Sequence, residues 1–353
     1  MKKQNINTRN KFVNAIAVIF LFVCAASLNV HAQVQDWATD EHLSPGVKTY
    51  LKTLNTGGPG LETLTPAQAR QVLVDVQKAY PVDMSGVTIS DKTIKEDGLE
   101  VKLKIVRPEG VKGVLPVFIY IHGGGWVLGD FPTHQHMVRN LAVLSGFVGV
   151  FVDYTRTPDA AYPTQIDQIY AATKWVAEHG AEINVNGQKL AVVGNSVGGN
   201  MTAVTAIRAK ENNGPHISVQ IMMWPILDHD FTTGSYQAFG RDRFLTTPVM
   251  KWMYDMYIPE ESKRDDIHAS PLKATTGQLQ GLPPALIQVA ENDILRDEGE
   301  AYGRKLEQAG VPVTTVRYNG VIHDWGLLTG LAKLPQTEAL FIQAAAELRK
   351  YLK

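Results

Sequence analysis

Five short apolar runs, separated by helical patterns, restrict this 353-residue chain more than any other feature. They are "VLPVFIYI" (114–121), "FVGVFVDY" (147–154), "LAVVGN" (190–195), "VQIMMW" (219–224) and "PALIQVA" (284–290). Runs of this length without polar alternation read as strands buried on both faces. A more polar sixth run, "VTTVRY" (313–318), follows them. Helical patterns lie between, at 134–145, 163–179, 198–211, 296–310 and 334–352. The alternation predicts a mostly parallel sheet with helices on both faces, an α/β fold. "VTISDKTI" (87–94) and "LEVKLKIV" (99–106) alternate apolar and polar residues, as half-buried antiparallel strands do.

Two segments stand outside this rhythm. Residues 226–282 are too long for a bare connection and include the helical "TTPVMKWMYDMYI". Residues 33–85 hold two further predicted helices, the second opened by Thr65 as N-cap with Pro66 in its first turn. Together they are expected to cap the carboxyl ends of the strands, where open α/β sheets place their sites. The catalytic domain is expected over 86–353, with the insertion at about 226–282.

Residues 1–32 read as a secretory signal peptide. Lys2, Lys3, Arg9 and Lys11 precede the apolar "AIAVIFLFVCAASL", and "VHA" places small residues for cleavage after Ala32. The apolar run is short for a membrane span, so no stable span is expected once it is removed. A periplasmic or secreted protein follows. Its single cysteine, Cys24, leaves with the signal, which excludes disulfides and thiol chemistry from the mature chain. A net charge of −1 offers nothing to nucleic acid.

The chemistry-bearing motif is "GNSVG" (194–198), a G-x-S-x-G between a predicted strand and a predicted helix. That context predicts a sharp turn lifting the Ser196 hydroxyl into the open. A nucleophilic serine needs a base, an orienting acid and an oxyanion hole. In the chain order Ser, acid, His, the base should follow the last strand, which selects His323 in "VIHDWG". Asp293, at the end of the strand before it, is the expected acid. Glu291 is a weaker rival, and Asp297 and Glu298 suit a helix first turn. "HGGGW" (122–126) supplies backbone donors after a strand, expected to be Gly123 and Gly124 with the amide of Val197. His122 is expected to brace that loop. Trp126 is expected to line the substrate pocket. No phosphate loop or metal-ligand spacing accompanies these residues, so no cofactor and no metal are expected.

These residues carry a resemblance. "HGGGW", "VDYTRTPDAAYP", "GNSVGGN", "SPL" (270–272), "ENDILRDEGEAYGRKLEQAGV" and "YNGVIHDWG" run in order over most of residues 85–350. The chain resembles the bacterial hormone-sensitive lipase-like (family IV) carboxylesterases of the α/β-hydrolase superfamily. The resemblance implies an eight-stranded sheet, a helical cap and a metal-independent carboxylic-ester hydrolase. It implies a small-molecule ester of short-to-medium acyl length as substrate. Deacetylation or amide hydrolysis of an exported sugar, aryl amide or drug is the alternative. A non-catalytic receptor on this fold would lack a member of the triad, and all three are present. The departures from the family's pattern are Asn195 and Val197 around the serine, Asp159 in "YTRTPD", and Asp324-Trp325 after His323.

Overall fold

The structure is a computed structural model and describes Met1 and residues 36–353. The expected signal peptide at 1–32 therefore lies outside the described residues, Met1 excepted.

The apolar runs form the strands. β1 (Val87–Glu96), β2 (Leu99–Pro108), β3 (Leu115–Ile121), β4 (Val148–Asp153), β5 (Val185–Asn195), β6 (Val219–Met223), β7 (Ala285–Asn292) and β8 (Val313–Ile322) make one eight-stranded sheet. The order is β1-β2-β4-β3-β5-β6-β7-β8. β1 and β2 form an antiparallel hairpin in which Val87 faces Pro108, and β2 also runs antiparallel to β4. All later pairings are parallel. β6 is buried at every position, and its one polar residue, Gln220, donates from its side-chain amide to Pro283 O at 2.9 Å. β1, at the sheet edge, is mostly exposed: only Val87 and Ile94 are buried along it, and the apolar Ile89 faces solvent, so it is less covered than the half-buried strand its alternation predicts.

Ten α-helices accompany the sheet among the described residues. Two precede it in the chain, α1 (Pro45–Leu54) and α2 (Pro66–Lys78). Thr65 and Gln68 close a reciprocal capping box at the start of α2, satisfying two otherwise unpaired amides. α3 (Phe131–Ser145), α4 (Thr164–His179), α5 (Val197–Glu211), α9 (Arg296–Gln308) and α10 (Pro335–Leu352) alternate with the strands. α6 (Gly234–Phe239), α7 (Thr247–Tyr257) and the short α8 (Thr276–Leu279) all fall between β6 and β7. The apolar core divides into two clusters. Ile119, Val150 and Val192 belong to one, and Phe118, Phe151 and Val193 to the other. Successive strand residues thus face opposite layers.

α2 is tied to the body by one polar face. The Arg70 guanidinium donates to the carbonyls of Val127 and Thr157, at 2.8 and 3.0 Å. Seven residues on, the buried Gln77 amide donates to Thr133 O and Leu327 O, and its oxygen accepts from Thr329 N. Replacing Gln77 with alanine strands these buried backbone groups. The expected loss is about 2 kcal/mol, read as a fall in the denaturant midpoint at unchanged slope.

Candidate active site

The turn between β5 and α5 explains its own glycines. Ser196 sits at φ 55° and ψ −121°, a conformation disfavoured for a residue with a side chain. A Cβ on Gly194 would strike the carbonyl of Gly198, and one on Gly198 would strike the carbonyl of Ile121. Only glycine at both flanks lets the chain reverse so closely. The Ser196 amide donates to Met223 O at 2.9 Å, which pins the turn to β6.

The distant sequence candidates converge on this turn. His323 follows β8, and its Nε2 lies 3.1 Å from Ser196 Oγ. Its Nδ1 lies 2.7 Å from Asp293 Oδ2, just beyond β7. The other Asp293 oxygen accepts from Leu295 N at 3.0 Å, which fixes the carboxylate. All three side chains are buried. Glu291 is not part of this chain of contacts. Its carboxylate accepts from Gly320 N and faces His42. Asp297 accepts from Ser235 N in the first turn of α6, and Glu298 accepts from Leu227 N just after β6, so both anchor the segment that follows β6.

Charge at His323 is set by opposing effects. Burial pushes its pKa down, but the carboxylates of Asp293 and Asp324 outweigh burial and raise it. Asp324 Oδ2 stands 3.8 Å from Nε2. Asp324 is a site residue for which sequence reasoning assigned no role. Its Oδ1 accepts from Trp224 Nε1 at 2.7 Å and from Asn195 Nδ2 at 3.3 Å. Burial raises its own pKa. The two departures noted in the sequence, Asn195 and Asp324, are therefore hydrogen-bonded neighbours.

Asn195 corrects one expectation. Its Oδ1 accepts the amide of Gly123 at 3.0 Å and the hydroxyl of Tyr120 at 2.9 Å. The Gly123 amide is thus already engaged and turned toward the β5 side. Gly124 and Gly125, at φ 106° and 61°, are the glycines that line the cavity beside Ser196. His122 braces this loop. Its Nδ1 donates to Gly123 O at 2.8 Å, and its ring stacks on Tyr154 at 4.1 Å between centroids. Burial depresses its pKa to about 3, so the ring is neutral.

Trp126 requires a second correction. It is fully buried, stacked 4.1 Å from Tyr257, and absent from the cavity at Ser196. The walls come instead from both segments outside the alternating pattern. Leu61 and Leu73 precede the sheet, and Phe244, Leu245, Met250 and Met253 follow β6. The cavity volume is about 30 Å³. Among the described residues no group of three or more His, Cys, Asp or Glu side chains could hold a metal ion.

A mostly parallel sheet of this order, with a serine on a strained turn after its fifth strand, defines the α/β-hydrolase class. The chain belongs to the alpha/beta hydrolase fold family, whose profile matches residues 118–327. It is 33% identical over 288 residues to the carboxylesterase NlhH of Mycobacterium tuberculosis, covering 80% of this chain and 88% of that one. An ethyl acetate hydrolase of Pseudomonas putida is 33% identical over 299 residues, covering 80% and 92%. The crystal structure of a thermostable esterase from Pseudomonas putida superposes with a TM-score of 0.88 at 53% identity, covering 89% of this chain and 99% of that one.

Proposed function

We propose that this protein is an exported carboxylesterase that cleaves short-to-medium acyl esters through an acyl-enzyme on Ser196. The observation that carries the reading is the continuous hydrogen-bonded chain from Ser196 Oγ through His323 to Asp293, opening on an apolar cavity. His323 Nε2 takes the serine proton as Oγ attacks the ester carbonyl. It then protonates the leaving alcohol, and the same base activates water for deacylation. Asp293 fixes the tautomer with hydrogen on Nδ1 and stabilises the imidazolium. The developing oxyanion is held by the amides of Gly124, Gly125 and Val197, the last at the N-terminus of α5. The small apolar cavity supports short acyl groups. Larger groups require Met250 and Met253 to move, which their unbranched side chains allow. Export rests on the basic and apolar pattern of residues 1–32. The test is a p-nitrophenyl acyl-ester series with the mature protein. Turnover falling from acetate to long chains supports the reading, and no turnover of any ester overturns it.

The acid limb of the pH–rate profile gives a further check. His323 works as a base only when neutral. Its pKa is raised above the ordinary 6.5, so kcat/KM is lost as pH falls through a value above 6.5. Asp324→Asn removes one of the two raising charges, and the limb should move to lower pH. A profile that stays in place would assign the limb to another group.

A further inference from the structure

We propose that the buried pair Asp40–Arg243 is a specificity-determining brace that holds the wall of the substrate cavity in its narrow form. The inference rests on the esterase reading and names what sets its size limit. Arg243 lies in the loop between α6 and α7 and is 1% exposed, as is Asp40. Its guanidinium donates to Asp40 Oδ2 at 2.7 Å and to Asn292 Oδ1 at 3.1 Å, and it lies over the Phe239 ring at 5.1 Å. Asn292 in turn donates to the carbonyl of His42. One side chain therefore joins three parts of the chain: the segment before α1, the loop after α6, and the end of β7.

The loop it joins is under strain. Asp242 and Phe244, on either side of Arg243, have φ of 54° and 73°. Residues other than glycine hold such values only where their surroundings over-determine them. Here the surroundings are Arg243 itself and Asn55, whose amide donates to Asp242 O at 3.0 Å. The product of the strain is specific: Phe244 and the following Leu245 face the cavity beside Ser196. Charge buried in this way is a poor source of stability, because its desolvation offsets its attraction. What it supplies is direction, since the planar guanidinium fixes two partners at once. The brace thus aims the two cavity walls without touching substrate, as a positioning group.

Truncating Arg243 alone would leave the buried Asp40 carboxylate without the guanidinium that pairs it, so the pair is replaced together, as Asp40→Leu/Arg243→Met. Arg243→Lys is the second variant, keeping the charge but losing the two-pronged grip. Phe244→Ala serves as the benchmark for a lost wall. kcat/KM is measured with p-nitrophenyl acetate and octanoate, and with methyl and octyl acetate. The expected result is a long-to-short ratio raised about tenfold in at least one series, matched by Phe244→Ala and not increased further by combining the two. Uniform loss across all esters, or an unchanged ratio, overturns the brace. Hydrogen exchange at the amides of Leu245 and Thr247, bonded to Arg243 O and Gly240 O, needs no substrate. Faster exchange there in the pair variant is expected, and unchanged exchange overturns the brace. If the unaltered enzyme cleaves none of the esters, the functional reading falls while the exchange result still decides whether the pair holds the loop.

Discussion

Ser196→Ala should lower kcat by about a millionfold for any ester the enzyme cleaves. The substitution removes one oxygen from a buried turn and adds nothing in its place. The backbone hydrogen bonds of the turn, to Met223 O and from Ile226 N and Asn200 N, do not use the side chain. Stability should therefore change little, and substrate affinity should persist. The residual rate is expected to remain well above that in water, because the proposed oxyanion donors and the substrate cavity are left intact. Stopped-flow release of p-nitrophenol measures the effect directly. A variant that retained even a tenth of the activity would exclude Ser196 as nucleophile. Adding His323→Ala to Ser196→Ala should cost almost nothing more, since residues acting as a unit are not additive.

Asp293→Asn is the second large effect, with an expected loss of about 10,000-fold in kcat. The amide fits the space and can still accept from Leu295 N. It can also donate toward His323 Nδ1, and that is the damage. Nδ1 would then hold a lone pair and Nε2 a proton, so Nε2 could not take the serine proton. The neighbouring Asp324, 3.8 Å from Nε2, is on the wrong side of the ring to correct the tautomer. Loss of kcat with little change in KM is the expected pattern. A loss of less than tenfold would move the orienting role to another acid.

The sequence already contained much of this. Apolar runs without alternation gave the central strands because burial on both faces favours apolar residues and admits a polar one, such as Gln220 or Gln288, only where it finds hydrogen-bond partners. The serine on the turn after β5 was legible for a steric reason, since glycine is required where Gly194 and Gly198 meet neighbouring backbone. His323 could be reached by chain order together with its place after the last predicted strand, since His216, His229 and His268 also follow Ser196. What stayed hidden depended on which group occupies a given amide. Three consecutive glycines look alike in sequence, and only the Asn195 side chain distinguishes Gly123 by taking its N–H. Trp126 follows the glycines and looks like a pocket wall, but it stacks on Tyr257, 131 positions away. Asp324 was visible only as a departure from pattern. Its partnership with Asn195 spans 129 positions, a distance across which one sequence carries no pairing signal. The joint departure at both positions was the available clue.

The docking face of α2 has a further consequence. Arg70 grips Val127, whose amide in turn bonds to Gly124 O, while Gln77 grips Leu327 and Thr329 just past His323. Leu73, midway between them, lines the cavity. A helix that supplies part of the cavity wall is thereby fastened to both the glycine loop and the histidine loop. Lifting it would loosen the glycine loop and the histidine loop in one event. One helix thus ties the support of the cavity wall to that of both loops, so a change that weakens its docking would be felt at all three.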